Sequence, residues 1–179
     1  YNKVIIFVHS RKDTVKTGIF LYKNLKDLSI KMISKHNIEG NFNNKYIFEL
    51  NDETSKFLSF KGIGVHHAGL SGKDKMIAEN LFLIGITRIL VSTSTLAWGV
   101  NLPATHVIIK GTKIYCPNKT YWTELSDLNI IQMLGRVARI KNQIKNEGIL
   151  LTSYKYFSYY KKLFKQNKAI ESNFIFFLP

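Results

Sequence analysis

Five short, largely apolar runs rich in β-branched residues punctuate the chain, at Val4–Val8, Ile63–Val65, Arg88–Val91, Val107–Ile109 and Ile149–Leu151. Between them lie stretches with helical spacing of apolar residues. A short continuous apolar run reads as a strand buried on both faces. Strands that alternate with helices are joined by crossovers, which set neighbouring strands parallel. This alternation predicts an α/β fold: a parallel sheet with helices on both faces. Ligands of such sheets bind beyond the carboxyl ends of the strands. Ser10, His66 and Thr93 fall there, each directly after a run.

The first helical stretch runs from Ser10 or Arg11 to about Lys31, with Val15, Ile19, Tyr22 and Leu25 near one face. Residues 36–51 are Asn-rich and without period, which reads as a loop or insertion. A short helix is expected over Asp52–Phe60. Ser71 with Asp74 three residues on resembles a capping box, and Gly85 ends the helix it starts. The last helix covers roughly Tyr154 to Lys165. "KGTKIYCPNKTYWTEL" alternates well enough for a hairpin, with Pro117-Asn118 in its turn. No repeat or linker divides the chain, so 1–179 reads as one domain. The opening, with "VIIFV" at 4–8, reads as a buried strand rather than a signal peptide. With the apolar ending "NFIFFLP", it makes both ends look cut from a longer protein.

Lys and Arg number 26 against 12 Asp and Glu, a formal net charge of +14. That excess favours a polyanion, nucleic acid first, although a Lys-rich compositional habit would also produce it. Cys116 is the only cysteine, which rules out an internal disulfide and a cysteine-based metal site. No apolar run approaches the ~18 residues of a membrane span.

"IIQMLGRVARIK", 130–141, sets Gln132, Arg136 and Arg139 on one helical face. No acidic residue lies between Asp127 and Glu147, so neither arginine has an acidic partner nearby in sequence. An exposed basic helix end, favoured by the helix dipole, would satisfy the spacing equally. In "VSTSTLAWGVNLPATHVIIKGT", 91–112, a strand runs into Ser92, Thr93, Ser94 and Thr95, whose hydroxyls and N–H groups can bind phosphate oxygens. Gly99 allows close backbone approach, and Asn101 adds a polar head before Pro103. A strand, polar turn and helix cap would account for the same residues. The phosphate-cradling loop G-x-x-x-x-G-K-S/T is absent. Asp52 and Glu53 of "NDETS" read as charges of a helix first turn, not as a magnesium pair. This chain alone is therefore not expected to hydrolyse ATP. From Asn80 through Thr123 there is no acidic residue, which leaves that face able to approach a phosphate backbone.

Together, "VIIFVHSRKDT", "GVHHAGL", "WGVNLPA", "WTEL" and "QMLGRVAR" resemble the second RecA-like domain of superfamily-two helicases. The likeness is to the Ski-two-like group, and within it to the N-terminal cassette of the spliceosomal, U-five-particle members. The motifs occur in family order over almost the whole chain. The resemblance implies a 3′-to-5′ RNA helicase, unwinding small nuclear RNA duplexes during pre-mRNA splicing in the nucleus among spliceosomal proteins. ATP and Mg2+ would be held mainly by the first RecA-like domain. Ser10, Arg11, His66, His67, Ala68, Gly69 and Thr93 match positions that meet the nucleic-acid backbone. Gly99 and Asn101 match positions facing the nucleotide. Gln132, Arg136 and Arg139 match the sixth motif, with Arg136 on the γ-phosphate and Arg139 as arginine finger. The hairpin matches the group's duplex-parting wedge, with Lys113, Tyr115, Lys119, Tyr121 and Trp122 as phosphate contacts and stacking surfaces. His66 and His67 also admit packing roles, and leaving a strand on opposite sides they are poorly placed to share a metal. Two other readings stand beside this one: a related helicase acting on ribosomes or in DNA repair, and a degenerate cassette that only binds RNA or protein.

One residue departs from the family pattern. Ala138 stands in "GRVARI" where the group usually has glycine. If that glycine packs against backbone, the added methyl displaces Arg139, and a shift near 1 Å can cost about 10²-fold in rate. In the full-length protein, Ala138→Gly is expected to raise RNA-stimulated ATP hydrolysis; equal rates in a steady-state phosphate-release assay would show the methyl to be harmless.

Overall fold

The computed structural model describes residues 2–25, 41–116, 120–137 and 146–165, with backbone alone at 41–44 and 116. Its elements are β1 (Val4–Val8), α1 (Arg11–Asn24), α2 (Asn41–Phe48), α3 (Glu53–Phe60), β2 (Ile63–His66), α4 (Gly72–Leu83) and β3 (Ile89–Thr93). They continue with α5 (Leu96–Gly99), β4 (His106–Lys110), β5 (Lys113–Cys116), β6 (Tyr121–Glu124), α6 (Asp127–Leu134), β7 (Glu147–Leu151) and α7 (Tyr154–Lys165). Five strands form one sheet in the order β2-β3-β1-β4-β7. Every pairing in it is parallel. This is the architecture of a RecA-like α/β domain, and all five apolar runs are its strands.

The alternation of β1 explains the layers. Ile5 and Phe7 face one core with Phe82 of α4, Leu96 of α5, Ile130 and Met133 of α6 and Leu163 of α7. Ile6 and Val8 face the other, with Leu58 of α3 and the apolar side of α1. A parallel sheet needs such cover on both faces, because its crossovers lie there. β5 and β6 pair antiparallel as a separate hairpin that springs from the end of β4.

Three local expectations change. The sequence of 36–51 predicts a loop or insertion, but 41–48 form α2, while 36–40 lie outside the described residues. Ile47 and Leu50 are buried against Ile77 and Leu81 of α4, so a tertiary contact supplies what the Asn-rich stretch lacks in period. Along α1, the fully buried positions are Thr14, Thr17 and Gly18 rather than large apolar residues. A Cβ on Gly18 would sit 2.7 Å from Leu58 Cδ1, so small side chains are what let α1 lie this close to α3. At α4, Ser71 Oγ accepts from Asp74 N at 3.0 Å, as the capping pattern predicts. Asp74 is itself buried and accepts instead from Asn51 N at 2.9 Å, pinning the α2–α3 connection. Asp52 caps α3, accepting from Ser55 N at 2.7 Å, with Glu53 in its first turn. Gly85 closes α4 with φ +84°, a conformation that favours glycine. The expected stretch of α1 to Lys31, the Pro117-Asn118 turn, Lys119 and the "NFIFFLP" end lie outside the described residues.

Gly18 yields a test of the packing account. Replacing a mid-helix glycine by alanine ordinarily stabilises by about 1 kcal/mol. Here the methyl meets a fully buried leucine, so Gly18→Ala is expected to lower stability by about 1–3 kcal/mol, read from the urea unfolding midpoint. Adding Leu58→Ala in that background should cost less than it does alone.

Candidate nucleic-acid and nucleotide interface

The carboxyl edge of the sheet gathers the residues singled out above. β3 pairs with β2 on one side and β1 on the other, so Thr93 lies between the ends of those two strands. Ser10 caps α1: its Oγ accepts from Asp13 N at 3.1 Å and donates to Asp13 Oδ2 at 2.7 Å. Arg11, exposed at the start of α1, reaches the turn after β2, where its Nη1 lies 3.0 Å from the point a Gly69 Cβ would occupy. Gly69 N donates to His67 Nδ1 at 3.2 Å. Thr93 and Thr95 share a hydroxyl hydrogen bond of 3.0 Å. Arg11, His67, Ala68, Gly69 and Thr93 thus form one rim with a cation at its outer side. Of these, Arg11, Ala68 and Gly69 are exposed and His67 and Thr93 half-buried.

The His66 side chain turns inward from that rim. It is only 5% exposed, and its Nε2 lies 2.8 Å from Glu79 Oε1 of α4. Burial pushes its pKa down, outweighing the carboxylate of Glu79, which pulls it up. The ring is therefore neutral near pH 7, and the contact is an Nε2–H donating to a carboxylate rather than an ion pair. Nδ1 is buried without a hydrogen-bond partner. An orphaned lone pair costs less than an orphaned N–H, which fixes the same tautomer. Burial also lowers the pKa of His67; Asp52 opposes that shift, and Arg11 adds to it. Among the described residues no group of three His, Cys, Asp or Glu side chains is placed to hold a metal.

The second cluster forms around Arg136. Its Nη1 donates to Val100 O at 2.5 Å and its Nη2 to Ala97 O. Its carbonyl accepts from Ala104 N at 3.0 Å, beside a parallel bridge between Ala104 and Val137. The guanidinium is therefore not unpaired, as the absence of nearby acids suggested. It caps the carbonyl end of α5, a partner that side-chain charge patterns do not reveal. A guanidinium has five N–H donors, so this tie leaves capacity for an anion. It also sets Gly99 and Asn101, both exposed, next to the end of α6 that carries Arg136 and, half-buried, Gln132. Among the described residues a Cβ at Gly99 would meet nothing within 4 Å, so packing among them does not demand glycine there. Arg139, with Ala138, lies outside the described residues.

On the hairpin, Tyr115 and Trp122 face each other across the strands, with ring centroids 5.7 Å apart and exposures of 51% and 64%. Lys113 and Tyr121 are exposed beside them. The hairpin follows β4 through Gly111, whose carbonyl accepts from His9 Nε2 at 2.6 Å. That bond ties the hairpin's root to the end of β1. Sequence reasoning missed the Glu79 support of His66 and the α5 carbonyls, because neither pairing leaves a local signal.

A family model described as the helicase conserved C-terminal domain matches residues 34–141. The chain belongs to this helicase family. It is 43% identical over 180 residues to the pre-mRNA-splicing factor brr2 of Schizosaccharomyces pombe, covering 97% of this chain. To the human U5 small nuclear ribonucleoprotein 200 kDa helicase it is 42% identical over 185 residues, covering 99% of this chain. To the DExH-box ATP-dependent RNA helicase DExH12 of Arabidopsis thaliana it is 42% identical over 176 residues, or 97% of this chain. The chain spans 8% of the length of each of these relatives. Among the described residues no helix is long and apolar enough to cross a membrane.

The depressed His66 pKa carries a pH signature for this helicase domain. The unfolded chain takes up a proton near the ordinary histidine value of about 6.5, which the folded domain refuses until lower pH. Stability is therefore expected to be level above that value and to fall as pH drops below it. His66→Gln should flatten part of this decline in urea titrations between about pH 5 and 7; an unchanged slope would show that His66 titrates normally.

Proposed function

We propose that this domain is the second RecA-like half of an ATP-dependent 3′-to-5′ RNA helicase of pre-mRNA splicing, acting in the nucleus on small nuclear RNA duplexes. One observation carries the reading. A rim of backbone-binding groups and an anchored arginine segment share the carboxyl edge of a single sheet, as a motor coupling RNA to a nucleotide needs. Identity of 41–43% across nearly the whole chain to splicing factors and RNA helicases supports the substrate class. Arg11, the 67–69 turn and Thr93 would hold RNA phosphates. Ser10, by capping α1, and His66, by holding the turn against α4, would position them. Lys113 and Tyr115 would meet RNA at the hairpin.

ATP and Mg2+ supply the phosphoryl chemistry and would be held mainly by the first RecA-like domain of the same protein. Toward them this chain would offer Gly99 and Asn101, Gln132, the free donors of Arg136, and Arg139. Arg136 would act twice, fixing α5 by its carbonyl bonds and meeting the γ-phosphate. Arg139 would stabilise charge developing in the transition state. Later domains of the protein and spliceosomal proteins complete the assembly in this reading.

A cassette reduced to binding RNA or protein is the second reading. Two features favour it: Ala138 in place of glycine, and the engagement of Arg136 by its own domain. An RNA-stimulated ATPase assay on the full-length protein separates the two. A helicase is stimulated by single-stranded RNA, and Arg139→Ala should lower kcat by roughly 10³-fold or more with RNA affinity little changed. Absence of stimulation in the unmodified protein would leave the scaffold.

A further inference from the structure

We propose that Tyr160 and Tyr159 of α7 form a strut between the hairpin and α6, and that this strut sets how much duplex separation accompanies each ATP consumed. The inference rests on the helicase reading and names positioning residues within it.

The hairpin stands on two feet, Thr112 before β5 and Glu124 at the end of β6. Leu125 N donates to Thr112 O at 2.7 Å, closing the stem. Tyr160, only 3% exposed, binds the acidic foot directly: its hydroxyl donates to Glu124 Oε2 at 2.9 Å. Thr112 shares a 3.1 Å hydroxyl bond with Thr152, between β7 and α7. The other carboxylate oxygen of Glu124 is buried with no hydrogen-bond partner. The hairpin's acidic foot therefore depends on the Tyr160 hydroxyl. Burial above all, and the Glu124 carboxylate with it, raises the phenol pKa, so the group remains a donor at any working pH.

Tyr159, the next residue, takes hold of α6. Its hydroxyl donates to Asp127 Oδ1 at 2.5 Å, in the first turn of the helix that carries Gln132 and leads into Arg136. The two tyrosine rings meet edge to face with centroids 5.1 Å apart. Leu163 and Tyr160 bury α7 in the same core as Ile130 and Met133 of α6. Only Leu125 and Ser126 separate β6 from α6, and Ser126 caps α6 by accepting from Asn129 N at 3.3 Å. A strand end and a helix start that share one short connector, both clamped by one rigid helix, move together. Displacement of α6 at the arginine end is thereby delivered to the aromatic face of Tyr115 and Trp122.

The test uses the full-length helicase, an RNA duplex with a 3′ single-stranded tail, and single-stranded RNA as ATPase stimulator. Tyr160→Phe keeps the ring and removes the hydroxyl. It should leave RNA-stimulated ATP hydrolysis within about twofold while unwinding falls about tenfold, within the usual range of coupling between sites. Because the change also strands a buried carboxylate, Tyr160→Phe with Glu124→Gln is the control. It should recover the thermal midpoint without recovering unwinding. Recovery of unwinding together with the midpoint would overturn the strut and leave a purely structural hydrogen bond. Equal falls in both activities, or no fall in either, would overturn it as well. Failure of the unmodified protein to hydrolyse ATP or to unwind would instead count against the helicase reading itself.

Discussion

β1 is hydrogen-bonded to a parallel neighbour along each side, and helices cover both its faces. Ile5, Phe7 and Val8 at its centre are almost wholly inaccessible. A strand enclosed on four sides has nowhere to put a polar side chain except past its end. The same condition holds for β3, where Leu90 and Val91 are buried and Thr93 emerges at the edge. Polar chemistry is therefore concentrated where the central strands stop, at His9 and Ser10 after β1, at His67 after β2, and at Thr93. The candidate site follows from that enclosure, because one edge collects residues distant in sequence.

That edge has two parts with different physical character. Around Arg11, His67 and Gly69 the groups are short-ranged and face outward, and their support comes from behind, from the Ser10 cap and the His66–Glu79 bond. Around Arg136 the support comes from main-chain carbonyls. A guanidinium across the end of a four-residue helix does more than neutralise its terminal carbonyls: it fixes the distance between α5 and α6. As a clamp, Arg136 couples the position of the polar turn to the end of α6. The hairpin is a third part, joined to β1 through His9 and Gly111 and to α7 through Glu124 and Tyr160. Its exposed Tyr115 and Trp122 are thus held on a firm base although they project from the sheet.

The strands, the cap at Ser71 and the glycine stop at Gly85 were legible because each depends on residues close together in the chain. A β-branched run or a side-chain oxygen three residues ahead of an N–H acts over one turn or one strand. α2 was not legible, because Ile47 and Leu50 find their reason in Ile77 and Leu81 of α4. The inward turn of His66 is hidden in the sequence for a related cause. The sequence shows two adjacent histidines after a strand, and the alternation of side chains correctly separates them. Which one turns inward depends on Glu79 being present on the helix packed behind. Arg136 looked unpartnered because its acceptors are peptide carbonyls, and these carry no residue identity.

The sequence by itself determined the class of sheet, the order of its strands along the chain, the excess of positive charge and the motif set that places the chain among helicases. The first three follow from local periodicity and composition and the last from resemblance to a known family, and none of them needs knowledge of neighbours in space. Tertiary structure alone decided that His66 turns inward onto Glu79, that Arg136 clamps α5, and that Tyr159 and Tyr160 reach Asp127 and Glu124. Each of these is a directional bond between groups 13 to 39 residues apart. Hydrogen bonds are satisfied by geometry, and geometry at that separation exists only once the sheet has brought its edge together.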